Sequence, residues 1–121
     1  MSWAVWIGVA LLGGCGALAR FGLTLFVADR LHPHLLLGTL AVNVSGSFLL
    51  GLLAGAAVDG DARLLLGASA LGSYTTFSTW MLETQRVGEA GNRKLAAANI
   101  VLSIALGFLA VALGHWMGTQ I

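Results

Sequence analysis

The chain has 121 residues, of which 58% are hydrophobic and only 9% charged, with a net charge of +1. Soluble domains carry about 25% charged residues, so this composition excludes a freely dissolved globular domain. The near-neutral charge leaves no basic surface for nucleic acid, and the length allows one domain.

The charged residues fall in short clusters, from Asp29 to Arg30, Asp59 to Arg63 and Glu83 to Lys94. Between them lie four apolar runs, at 3–27, 35–58, 64–82 and 95–117. Each is long enough for a bilayer span, which takes about 20 residues. The expected fold is an all-α, multi-pass membrane protein with four transmembrane helices, forming one channel-sized domain over 1–121. Four spans put both termini on one side, and the loops leave no room for a soluble domain or a nucleotide site.

The first run lacks the positive n-region of a signal peptide and exceeds the usual length of its apolar core. Leu12-Gly13-Gly14-Cys15 looks like a lipoprotein cleavage site, but no charge precedes it. Cys15 therefore reads as a small membrane-core residue, and a single cysteine can form no intrachain disulfide. Trp3 and Trp6 at the start, with His115 and Trp116 at the other end, suit the headgroup region. Arg20 follows Trp3 by 17 residues, about 25 Å along a helix, which puts it near the opposite interface, where it can snorkel.

The first loop carries Pro33. In the second run Thr39, Asn43 and Ser47 are spaced i, i+4, i+8 and share one helix face. Gly46, Gly51 and Gly55 supply small residues for close helix approach, within a chain or between chains. The second loop is Asp59-Gly60-Asp61.

The third run, Gly67 to Trp80, mixes glycine with hydroxylated and aromatic residues, which is poor helix material. A break near 72–76 is expected, with carbonyls freed at mid-membrane. Such backbone persists only when buried in protein or lining a cavity. The alternative is a continuous helix whose Ser and Thr bond back to preceding carbonyls. Phe77 and Trp80, at i and i+3, fall near one face. They read either as packing residues or as rings whose positive edges face an anion. Glu83 closes the run, as an interfacial carboxylate near Arg86 or as a proton-coupled site. In the fourth run Asn99 and Ser103 repeat the i, i+4 polar spacing.

The polar stripes have two readings. They are helix–helix glue, or they form a track that replaces water around a permeating ion. Hydroxyls and amides donate to anions and accept from cations, so the stripes alone do not choose the ion. Lys and Arg are uneven. The first and third loops carry Arg30, Arg86, Arg93 and Lys94, whereas the second carries only Arg63. That bias favours odd loops in the cytoplasm.

Three segments resemble one family. Gly13-Gly14-Cys15-Gly16-Ala17-Leu18-Ala19-Arg20 is similar to the G-G-x-G-A-x-x-R signature of the Fluc, or CrcB, fluoride channels. The segment from Gly38 to Phe48 resembles their G-T-L-x-V-N-x-x-G-x-F, and Gly72 to Thr79 their G-x-x-T-T-F-S-T. The motifs fall in order over the first three runs; the fourth run is matched by pattern alone. The resemblance implies a fluoride-selective channel of the cell's inner membrane, an antiparallel dual-topology dimer of four-helix subunits with a broken third helix and two passive pores. It implies a pore set of Thr39, Asn43, Phe77, Ser78, Thr79, Trp80, Asn99 and Ser103, with Arg20 lending positive potential near a vestibule. It also implies a structural sodium ion held by the backbone carbonyls of Gly72 and Thr75. The partner would be an identical chain or an oppositely oriented paralogue. Trp80 stands where the family pattern has a second phenylalanine, and its indole is larger and adds an N–H donor.

Two other functions fit a small membrane protein. A multidrug-type coupled exporter wants an acid deep in a span, and none is present. A noncatalytic assembly subunit predicts no flux. No triad, metal-ligand cluster or phosphate loop argues for an enzyme.

Overall fold

A computed structural model describes residues 2–30 and 35–121. The first loop, with Pro33, lies outside the described residues. Every regular element described is helical. Helix α1 spans Trp3–Arg30 and α2 spans Leu35–Gly55. A short α3 (Gly60–Ala62) leads into a π-helical stretch, Arg63–Leu71, and then into α4 (Gly72–Tyr74). After an interruption come α5 (Ser78–Glu89) and α6 (Arg93–Thr119). Among the described residues three helices are long and apolar enough to cross a membrane: Trp3–Arg30, Leu36–Gly55 and Arg93–Thr119.

The helix ends follow from local chemistry. At the end of α2, Val58 N donates to the Leu53 carbonyl and Ala57 N to that of Ala54, at 3.1 Å each. This paired closure places Ala57 in the left-handed region, at φ 57°. The same closure ends α5, where Asn92 N reaches Val87 and Gly91 N reaches Gly88. There the left-handed position falls on Gly91, φ 93°. The Asn92 side chain then accepts from Leu95 N at 3.2 Å and starts α6. By contrast, α1 runs on through Asp29 and Arg30, because no glycine or proline intervenes after Val27.

Packing is inverted relative to a water-soluble protein. Large apolar side chains such as Leu18, Phe21, Val101, Phe108 and Leu109 are exposed. The buried set contains Thr39, Ser69, Thr84 and Asn99 beside Val27 and Val42. Lipid tails solvate an apolar exterior, while polar groups must find partners inside. Helix α2 is the central element. In its most apolar stretch 28% of residues are buried, against 6% in α1 and in α6.

Glycines set the helix spacing. On α2, Gly51 and Gly55 lie against the carbonyls of Val111 and His115. On α6, Gly114 and Gly118 lie against those of Phe48 and Leu52. The two four-residue spacings interlock, so the backbones touch where any Cβ would collide. Gly16 of α1 meets the Ala70 carbonyl in the π-helical stretch in the same manner. Beside that contact Ser69 Oγ donates to the Val9 carbonyl at 2.5 Å.

Candidate functional site

The interruption at 75–77 organises the polar interior. Thr75 is extended, at φ −79° and ψ 160°. Its N–H and its Oγ1 both donate to the Leu71 carbonyl, at 3.0 Å each. The next amide no longer follows the helix. Thr76 N–H goes instead to Asn43 Oδ1 at 2.8 Å, and Asn43 Nδ2 donates to the Thr76 carbonyl at 2.8 Å. One α2 side chain thus satisfies both backbone groups at the break, as a buried backbone requires. Thr76 Oγ1 then accepts from Thr79 N at 3.2 Å and starts α5.

Further side chains tie this region together. Ser45 Oγ lies 2.8 Å from Tyr74 OH and also donates to the Val42 carbonyl. Thr39 Oγ1 donates to Glu83 Oε1 at 2.8 Å. Asn99 Nδ2 donates to Thr84 Oγ1 at 2.8 Å, and that hydroxyl donates to the Trp80 carbonyl at 2.7 Å.

Three smaller cavities lie at or near the break, each with a few polar side chains in a largely apolar lining. One of about 310 Å³ is lined by Asn43, Ser47, Trp80, Ser103, Gly107 and Phe108 among others. A second, of about 330 Å³, has Asn43, Ser47 and Trp80 in common with it and adds Gly72, Thr75, Thr76 and Phe77. A third, of about 210 Å³, is lined by Arg20, Thr24, Thr39, Thr76 and Thr79. Thr76 joins the second to the third, and Trp80 stands between the first and the second. Arg20 is the single ionised side chain among these linings. The largest cavity, about 1070 Å³, lies between the end of α2, the π-helical stretch and α6, and contains none of the residues of the implied pore set.

The sequence-derived candidates therefore separate. Asn43, Trp80, Ser103 and Phe77 meet along the first two cavities, and Thr39, Thr79 and Arg20 meet in the third. Asn99 is buried and engaged with Thr84, and it lines none of the three. Ser78 is exposed and lines none of them either. Phe77 is 70% exposed, and its ring meets that of Trp80 edge to face, centroids 5.7 Å apart. Gly72 is exposed and Thr75 partly so. Among the described residues no group of His, Cys, Asp and Glu is placed to hold a metal ion.

Sequence reasoning did not single out Thr76 or Thr84. Their roles depend on partners 33 and 15 residues away, and neither shares a helical face with its partner in sequence. Ser47 was visible as the third member of the α2 stripe.

Buried polar atoms without a partner are few. Among the described residues they are Trp80 Nε1, Ser103 Oγ and Glu83 Oε2.

Comparison with known proteins gives a consistent result. Residues 7–115 match the family model of the CrcB-like proteins, described as camphor resistance (CrcB). The fluoride-specific ion channel FluC 2 of Mycobacterium tuberculosis is 54% identical over 114 residues, covering 94% of this chain and 90% of its own. The fluoride-specific ion channel FluC 1 of Rubrobacter xylanophilus is 48% identical over 106 residues, or 87% and 86% of the two chains. The fluoride-specific ion channel FluC 2 of Haloarcula marismortui is 46% identical over 101 residues, covering 84% of this chain and 82% of its own. With the family model matched over residues 7–115 and relatives 46–54% identical over most of its length, this chain belongs to the CrcB family.

Proposed function

We propose that this chain is the subunit of a fluoride-selective ion channel and not an enzyme. The observation that carries the reading is the series of small cavities beside the break whose linings bring together Arg20, Thr76, Asn43, Trp80 and Ser103. A path lined by hydroxyls, an amide and an indole can replace water around a small anion. Fluoride is strongly hydrated, and its water must be replaced by several donors together, or entry costs too much. Arg20 raises the anion's local concentration at one end. Phe77 and Trp80 supply ring edges, the positive rim of the aromatic quadrupole. The names of the relatives choose fluoride among anions.

The fuller architecture belongs to the same proposal. The subunit crosses the inner membrane four times, the third span being 60–89 with its interruption at 75–77. Two subunits pair in opposite orientations and form two passive pores. The exposure of Phe77 and Gly72 in the single subunit supports this, since interrupted backbone at membrane depth must be covered by protein or line a cavity. Thr76 N–H bonds to Asn43, so the Gly72 carbonyl lacks the amide that a continuous helix would offer it. The carbonyls of Gly72 and Thr75 suit a hard cation such as sodium, as oxygen ligands. Two carbonyls make half a coordination shell, and a partner subunit would supply the rest. Such an ion would fix the two breaks against each other.

Fluoride leaves down its own gradient. A negative interior adds about 2.3 kcal/mol per charge per 100 mV, and neither ATP nor a proton gradient is required. The test is fluoride efflux from liposomes holding the purified protein, read against chloride with proton gradients collapsed. Fast fluoride loss with chloride retained is expected. Efflux that vanishes when the proton gradient is removed would point to a coupled exporter instead. The uneven Lys and Arg count makes the partner a separate question. Cross-links between identical chains in opposite orientations would establish a homodimer, whereas their absence would require an oppositely oriented paralogue.

A further inference from the structure

We infer that the indole N–H of Trp80 and the hydroxyl of Ser103 form a two-donor site for the permeating anion, where the two cavities flanking Trp80 meet. The inference rests on the fluoride reading and deepens it.

Most polar side chains around the break are already engaged. Asn43 holds the Thr76 backbone with both ends of its amide. Thr39 holds Glu83, and Asn99 holds Thr84. Of the three buried polar atoms left without a partner among the described residues, Glu83 Oε2 is an acceptor and lines none of the three cavities. The other two are Trp80 Nε1 and Ser103 Oγ, and both side chains line the 310 Å³ cavity. An indole nitrogen only donates. Left unpaired in a buried place, it is unfavourable until an acceptor arrives. What fits beside it is a compact anion, since a cation gains nothing from an N–H.

The position also matters. Trp80 is common to both cavities, together with Asn43 and Ser47, so an ion moving between them passes beside this ring. Its carbonyl is held by the Asn99–Thr84–Trp80 chain of hydrogen bonds. A small rotation brings the N–H into the passage and offers the anion a donor where it has least water. Ser103 faces the same space from α6 and supplies the second.

The test uses the full chain in lipid nanodiscs, with its tryptophan indoles labelled with ¹⁵N. The four tryptophans are Trp3, Trp6, Trp80 and Trp116, and W80F identifies the Trp80 signal by its loss. Titration with sodium fluoride should move that N–H signal downfield and saturate, while sodium chloride at equal concentration leaves it in place. In liposomes, W80F should raise the fluoride concentration for half-maximal efflux about tenfold, the size of one hydrogen bond to an ion. S103A should raise it less, by about threefold. A Trp80 signal unmoved by fluoride, in protein that conducts fluoride, overturns the donor site and leaves the channel reading standing. Folded protein that conducts no fluoride overturns the channel reading, and the site falls with it. Should W80F fail to fold, the other three single Trp→Phe variants identify the Trp80 signal by elimination, and its response still decides.

Discussion

Helix α2 has two sides built on opposite rules. Toward the second half of α6 it is closed by Gly51, Gly55, Gly114 and Gly118, where any Cβ would collide with the facing backbone. Toward 72–84 it is held by side-chain hydrogen bonds from Thr39, Asn43 and Ser45, and cavities remain. In a membrane both solutions are needed. Apolar helices gain nothing from burial against lipid and must pack by shape. A path for an ion must instead keep polar groups satisfied while leaving space. One side is a rigid seam, and the other is a polar wall with room beside it.

The largest effect should come from the seam. Gly114→Leu drives a side chain into the Phe48 carbonyl and the Leu52 amide, and should destabilise the fold by about 4 kcal/mol. Denaturation in mixed micelles would show it, with flux and stability lost together. Next is the wall. Asn43→Ala leaves Thr76 N–H and C=O unpaired, at a cost of about 3 kcal/mol, and should abolish selective flux even where protein remains folded. Tyr74→Phe removes only the bond to Ser45, worth about 1 kcal/mol, and efflux should stay within a few-fold of wild type. The smallest effect, and of opposite sign, is Ala57→Gly. It relieves a left-handed alanine at the end of α2 and should stabilise by about 0.5–1 kcal/mol, with flux unchanged. If Tyr74→Phe proved as damaging as Gly114→Leu, the two sides would not differ as described.

How much of this was legible in the sequence varies with the kind of contact. Apolar runs of bilayer length marked the helices, and α2's Thr39, Asn43 and Ser47 could be placed on one face by spacing alone. The partners could not. Spacing alone left Asn43 open between helix glue and pore lining, because what lies opposite depends on where Thr76 arrives, 33 residues later. Asn99 and Ser103 share a spacing, yet α5 passes beside Asn99 and leaves Ser103 facing a cavity. Helix ends were legible only in part. The run at 35–58 is apolar to its end, but α2 stops at Gly55 because the carbonyls of Leu53 and Ala54 close a turn through Ala57. The π-helical stretch had no sequence signal we recognise; its register is visible only where Gly16 meets Ala70 and Ser69 meets Val9.

The most direct test of the account is fluoride efflux from liposomes containing wild-type protein and Asn43→Asp, each shown to be folded. Asp keeps an acceptor for Thr76 N–H but loses the donor to its carbonyl and sets a negative charge beside the cavities. The account predicts fast fluoride loss with chloride retained for the wild type, and flux reduced at least about a hundredfold for the variant. Near-normal fluoride flux through folded Asn43→Asp would contradict it, because the ion would then be crossing somewhere other than the polar side of α2.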